Sequence, residues 1–173
     1  RKEMSRNGHL VWEVPYRPGR LKAVGYKDGR RIVKVVETAS EPVAVVLKPY
    51  RSVILADGTD GTVVNVEVRD RKGRPVHTAQ NMIPFTLAGN ARIIGVGNGD
   101  PSSHEQDKCE DGEWQRSMFN GKCQVIVTAG TTSEDICLTA SADGLEPDSV
   151  TISREEGDHM ASRHVQRFTL FSV

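Results

Sequence analysis

The chain has 173 residues, with 23 lysines and arginines against 23 aspartates and glutamates, so its formal net charge is zero. That balance argues against a nucleic-acid partner, whose binders carry a basic excess or stripe, and apolar runs such as Val43–Leu47 are far too short to cross a bilayer. The N-terminal Arg-Lys-Glu-Met-Ser-Arg lacks an apolar stretch and is not a signal peptide; any secretion signal is expected to lie outside the chain or to have been removed.

Taken in order, residues 9–16 alternate as a strand, with Leu10, Trp12 and Val14 on one face. Trp12 shares the phase of two aliphatic residues, which makes it a core residue rather than a sugar-stacking platform. Arg17-Pro18-Gly19 turns the chain, and two further strands follow over 20–26 and 31–37. The Asp28-Gly29 between them is a strong hairpin signal, because a type I′ turn needs positive φ at both central residues. Three strands bury little, whereas a sandwich domain uses about seven. The expectation is that the chain begins inside a domain whose first half lies elsewhere.

Thr38-Ala39-Ser40-Glu41-Pro42 reads as a linker, and Val43–Tyr50 opens a second unit. The segment 62–69 alternates strictly, with Val64, Val66 and Val68 expected inward. The turn Asp70-Arg-Lys-Gly73 leads to a strand near Ile83–Leu87 and another over Ala91–Val96. Later strands are expected at 122–128, 135–140 and 149–153. Short strands, frequent turns and almost no helical periodicity indicate an all-β sandwich. From about residue 154 the pattern fails, and the tail 154–173, mildly amphipathic through Val165, Phe168, Leu170 and Phe171, is assigned no structure.

The conspicuous loop is Gly95-Val-Gly-Asn-Gly-Asp-Pro-Ser-Ser-His-Glu105. Asn98, Asp100, Ser102, His104 and Glu105 offer oxygen and nitrogen ligands, but the Ca²⁺ loop pattern of an EF-hand is absent, and a structural turn is favoured over a metal site. The alternate glycines resemble a phosphate loop, yet no helix follows and no Lys-Ser/Thr closes it. Glu105, Asp107, Glu110, Asp111 and Glu113 crowd one segment without the fixed separation of about 5 Å that a retaining glycosidase needs, so a solvated acidic loop is the expected reading. No Gly-x-Ser-x-Gly elbow is present, and no catalytic residue, metal ligand or cofactor is assigned. Trp114, in a polar stretch, remains a candidate for touching a ligand beside Asn98, Asp100 and His104. The three cysteines, Cys109, Cys123 and Cys137, lack metal-site spacing. A Cys109–Cys123 bridge is one reading; the favoured one makes Cys123 and Cys137 small hydrophobes in strands.

Several segments in order carry a resemblance. They are Asn7-Gly8-His9-Leu10 with Trp12–Tyr16, Pro18–Tyr26, Glu37-Thr38-Ala39 with Glu41-Pro42, Ala56-Asp57-Gly58, Val96–Pro101 with Ser103-His104-Glu105, and Phe119-Asn120-Gly121. Together they resemble the C-terminal region of family 2 glycoside hydrolases of the β-galactosidase type, particularly those of gut Bacteroidetes. The resemblance covers roughly residues 1–153. It implies that 1–42 is the back half of one Ig-like domain and that 43–153 is a further Ig-like, invasin-style sandwich. The family's catalytic glutamates lie on a barrel that would be upstream, and no position here matches them. The region would therefore be an accessory of the parent glycosidase. Its partners would be the barrel and other parent domains, with a glycan or a second copy as further candidates, and its location periplasmic or secreted. The alternative is a carbohydrate-binding or adhesin-like module.

Overall fold

The computed structural model describes residues 1–109 and 112–155. The chain divides into two compact units, Arg1–Thr38 and the part from Ala39 onward. Each is built from strands and turns, and the described residues contain no helix.

The first unit is a single antiparallel hairpin of β1 (Arg20–Lys27) and β2 (Arg30–Glu37), paired Leu21 to Val36 and Val24 to Val33. Its turn is the expected one: Asp28 and Gly29 have φ of 50° and 73°, the left-handed pair that matches the twist of the strands. The open end is tied by two hydrogen bonds, Gly19 N to Thr38 Oγ1 at 3.1 Å and Thr38 N to Gly19 O at 2.8 Å. Every residue of both strands is exposed.

The strand expected over residues 9–16 does not form, and Trp12 is 55% exposed rather than in a core. A strand needs a neighbour for its backbone groups, and in this unit β1 and β2 pair only with each other. The Lys2 ammonium instead sits 5.4 Å over the indole centroid, a cation–π contact.

From Ala39 the chain forms an Ig-like β-sandwich. One sheet holds β3 (Pro42–Pro49), β5 (Gly61–Asp70), β9 (Lys122–Ala129) and β7 (Ala91–Gly97), in the spatial order β3-β5-β9-β7. The other runs β4 (Val53–Leu55), β11 (Asp148–Glu155), β10 (Ile136–Ala140), β6 (Met82–Ala88) and β8 (Gln115–Ser117). All pairings are antiparallel except β4 with β11. Alternation decides which side chains go inside. Val64, Val66 and Val68 on β5 and Val125 and Val127 on β9 are fully buried with Ile83, Ile136, Leu138 and Ile152 of the other sheet. Each such side chain contributes roughly 1.5–3 kcal/mol on leaving water.

The three-residue strands β4 and β8 escaped the sequence reading, since a period of two needs more residues than that to declare itself. The expected tail contributes residues to Glu155 as the end of β11; the remainder of 154–173 lies outside the described residues, as do Glu110 and Asp111.

The edges of the β3-β5-β9-β7 sheet are occupied. Val45 N donates to Glu146 O at 2.9 Å and Glu146 N to Val43 O at 2.8 Å, closing the outer edge of β3. On β7 the register slips between Ile93 and Gly95, leaving Ile94 bulged, and Val96 N donates to Asp107 O at 2.9 Å. Bulged and covered edges discourage pairing with another sheet. All three cysteines are free. Cys123 points into the core and Cys109 stays a thiol, so the bridge is not made; Cys137 faces outward, against its expected role as a small hydrophobe.

Candidate functional site

The loop after β7 is organised around one buried cation. Arg116, on the short strand β8, has a side chain only 5% exposed. Its Nη1 donates to Glu105 O at 3.1 Å and to Asp107 Oδ1 at 2.8 Å, and its Nη2 donates to Asn98 Oδ1 at 3.1 Å. The neighbouring Ser117 completes the anchor. Asn98 Nδ2 donates to Ser117 O at 2.9 Å, Ser117 N donates to Glu105 Oε2 at 2.9 Å, and the Ser117 hydroxyl donates to Glu105 Oε1. A guanidinium presents five donors in a rigid fork, so one residue can hold both ends of a loop at once.

Within the loop the turn residues fasten one another. Asp100 N donates to Asn98 Oδ1 at 3.0 Å, Ser102 N and Oγ donate to Asp100 Oδ1 at 2.9 and 2.8 Å, and Glu105 N donates to Ser103 Oγ at 3.3 Å. These side chain–backbone bonds are the local turn chemistry of Asn, Asp and Ser. They also set the electrostatics. The bonds from Ser102 hold the Asp100 carboxyl below the usual carboxylate range. Burial works against the charge of Glu105, yet the Ser117 bonds and Arg116 still hold its carboxyl down.

The arrangement is chemically self-consuming. The carboxylates of Glu105 and Asp107 are both paired with Arg116, Asp107 from the solvent side. Of the four residues singled out in the sequence, Asn98 and Asp100 belong to the brace. His104 is exposed and makes no hydrogen bond or ion pair with a described residue. Trp114 lies elsewhere: half-buried against the core, it accepts the Phe85 N–H through its carbonyl at 2.8 Å and lines a cavity of about 400 Å³ with Phe85, Thr86, Leu87 and Arg92. The structure therefore does not assemble the four into one site. Of the acidic crowd, Glu105 and Asp107 form the Arg116 triad, Glu113 is exposed, and Glu110 and Asp111 lie outside the described residues. Among the described residues no group of three or more His, Cys, Asp or Glu is placed to hold a metal ion. Arg116 itself escaped the sequence reading. The only trace of it is an arginine in phase with Met118, an alternation too short to read.

A buried carboxylate at the C-terminal end of β5 does comparable work at the same end of the sheet. Asp70 Oδ2 accepts from Ser40 N at 2.9 Å and Ser40 Oγ at 3.2 Å and from the Arg74 guanidinium at 2.6 Å, while Oδ1 accepts from Lys72 N and Arg74 N, both at 2.9 Å. Arg74 chiefly, with these backbone donors, holds its carboxyl well below the usual range. In contrast, burial pushes the Cys123 thiol up to about 12, so it is neutral and inert near neutral pH.

Comparison with known proteins bears on what such a sandwich belongs to. The family model "Glycoside hydrolase family 2 C-terminal domain 5" matches residues 45–151, and "Domain of unknown function (DUF4982)" matches residues 1–33. The chain is 38% identical to the beta-galactosidase BoGH2A of Bacteroides ovatus, over 87% of this chain and 17% of that enzyme. It is 35% identical to a beta-glucuronidase of Formosa agariphila over 55% of this chain and 10% of the relative. Among solved structures, a glycosyl hydrolase family 2 member from Bacteroides cellulosilyticus superposes with a TM-score of 0.77 at 34% identity, covering 85% of this chain and 19% of that one. The chain thus spans less than a fifth of the length of each of these relatives.

Proposed function

This chain belongs to glycoside hydrolase family 2, as a C-terminal region of such an enzyme, and from that premise we propose that it is a non-catalytic accessory region of a β-galactosidase-type glycosidase. Hydrolysis of the β-glycosidic bond would be the work of a barrel in the parent enzyme. The role of the region is to pack against the barrel and the other parent domains, and to extend or stabilise the subunit. The single observation that carries this reading is the fate of the acidic loop. Every carboxylate described in it that could serve as acid, base or nucleophile is either spent on Arg116 and Ser117 or left exposed without a partner carboxylate. A retaining mechanism needs two carboxyls held across a substrate at about 5 Å.

The hairpin fits the same role. Its strands carry Leu21, Val24, Tyr26, Ile32 and Val36, all more than 40% exposed, and a two-stranded ribbon is marginal alone. Residues 1–33 match a separate domain model. We take the hairpin to be the back part of a neighbouring Ig-like domain, and residues from about 43 to 153 to be one sandwich. The occupied edges of the β3-β5-β9-β7 sheet suit a module that packs through faces and does not add strands there. We place the parent enzyme in the periplasm or outside the cell.

The test uses a complete family 2 enzyme carrying this region, compared with the same enzyme lacking it. The expected result is a lower melting temperature or an altered subunit assembly, with kcat/KM on a nitrophenyl galactoside retained by the molecules that remain folded. An enzyme that loses its activity while keeping its stability and assembly would overturn the reading.

A further inference from the structure

The outer face of the β3-β5-β9-β7 sheet holds an ordered polar trough that the bracing role leaves unused. Lys48, Asn65 and Gln124 stand opposite one another on β3, β5 and β9, and the row ends at Gly97 on β7. A side chain added at Gly97 would meet nothing within 4 Å, nor would one at Gly99. The sheet face is therefore hollow where the row reaches its edge. Glu67 and Lys122, opposite each other in register, flank the row, and the Asn98–Gly99 turn forms the end wall. The resulting cavity is about 450 Å³. Its lining spans β3, β5 and β9 and the Asn98–Gly99 turn beyond β7, two inter-strand spacings of roughly 4.8 Å each plus the turn, which is the reach of a short oligosaccharide.

We propose that this trough binds a neutral oligosaccharide chain. Three features select that chemistry. First, the central pair is half-satisfied: Gln124 Nε2 donates to Asn65 Oδ1 at 2.7 Å, which leaves Asn65 Nδ2 as a donor and Gln124 Oε1 as an acceptor with no described partner. An adjacent donor and acceptor, fixed in register by the β ladder, match the adjacent hydroxyls of a sugar ring. Second, charge is limited, since Glu67 pairs with Lys48 at 2.7 Å and with Arg69, outside the lining, at 3.2 Å, and Lys122 is the one lining cation without a carboxylate among the described residues. A nucleic acid or a polyanionic glycan needs a basic stripe, and a single lysine is not one. Third, the strands under the trough are paired along it from β3 to β7, so an extended peptide has no edge on which to add a strand. Asn98 is spent at both ends on the Arg116 brace, so it shapes the wall and offers no binding group. The lining contains no aromatic residue, so binding rests on hydrogen bonds alone.

The experiment is an amide NMR titration of the 173-residue chain with β-1,4-galactotetraose, cellotetraose and xylotetraose, and with tetragalacturonate as the charged counterpart. The expected result is saturable shifts of the Asn65 and Gln124 side-chain amides with at least one neutral tetrasaccharide. Two variants, the double Asn65→Ala/Gln124→Ala and the trough-filling Gly97→Val, should each weaken that binding at least about tenfold, or 1.4 kcal/mol. Both change outward positions, and an unaltered core amide spectrum shows that they fold. Saturation by tetragalacturonate alone, shifts confined to the cavity beside Trp114, binding that neither variant changes, or no saturable shift with any probe would each overturn the proposal. Such a failure leaves the bracing role standing, because that role is read from deletion in the complete enzyme.

Discussion

The two units use the same local grammar and reach different ends. Each contains a tight turn of an acidic or amide residue followed by glycine, Asp28-Gly29 with φ of 50° and 73° and Asn120-Gly121 with φ of 51° and 71°. Each contains valine-bearing strands of eight to ten residues. Yet the β1–β2 hairpin is exposed along its whole length, while nine large side chains of the sandwich core have no accessible surface at all. Strand propensity and turn chemistry place a hairpin without stabilising it by burial; a core needs a second sheet to face the first. The lesson is that local pattern places elements, and only topology says which of them are stabilised by burial.

The contrast can be broken most sharply at paired positions. Leu138→Ala, at a site with no exposed surface, is expected to destabilise the sandwich by about 3–4 kcal/mol through lost burial and a cavity. Leu21→Ala in the hairpin, 55% exposed, should move the same transition by less than about 0.5 kcal/mol. Urea unfolding followed by tryptophan fluorescence reads both, because Trp114 packs on the sandwich core and Trp12 is exposed; a Trp12→Phe background isolates the core signal.

Removing the cation at the centre of the loop comes next. Arg116→Ala removes the buried cation and its hydrogen bonds to Glu105 O, Asp107 and Asn98, and is expected to cost about 1–2 kcal/mol in the same experiment, since the carboxylates left behind reach solvent. It should also speed hydrogen exchange at the Val96 and Ser117 amides, whose acceptors belong to that loop. Unchanged exchange at those amides would show that the loop holds itself.

The two glycine turns give a matched pair. Their dihedral angles are nearly the same, but a Cβ at Gly121 would lie 2.1 Å from Val76 O, whereas one at Gly29 meets nothing within 4 Å. Gly29→Ala therefore carries only the backbone penalty of about 1 kcal/mol for a left-handed non-glycine residue. Gly121→Ala adds displacement of the Val76 backbone and should be clearly worse, by at least about another 1 kcal/mol. Equal effects on the two units would mean that the β5–β6 connection yields freely.

Acid sharpens the comparison more gently. The carboxyls of Asp60, Glu67, Asp70, Asp100 and Glu105 all have pKa values held below their ordinary values in the folded sandwich. A group whose folded pKa is depressed contributes its full stability above the unfolded value, near 4, and loses it as pH falls toward the folded one. The sandwich is thus expected to lose stability progressively below about pH 4, and Asp70→Asn should flatten that dependence.

How much of this was legible follows from what each feature needs. The alternation of Val64, Val66 and Val68 and the Asp28-Gly29 turn are local signals, and they located β5 and the hairpin correctly. Trp12 had the same alternating phase, but with no neighbouring strand to pair with, it stays in solvent. The strands β4 and β8 are too short to show a period, and β8 carries Arg116. The loop's turn residues were visible as turn residues. What was not visible is that their side chains converge on a cation eleven residues beyond Glu105, since that convergence is made by the pairing of β8 with β6.

The claim at the centre of this account is that the chain supplies packing and not chemistry to its family's reaction. The direct measurement is release of nitrophenol from 4-nitrophenyl β-galactoside and β-glucuronide by the purified 173-residue chain. The expected rate equals that of buffer, with and without Glu105→Gln. Turnover above buffer that Glu105→Gln abolishes would contradict it, because Glu105 would then be a catalytic carboxylate rather than part of the brace around Arg116.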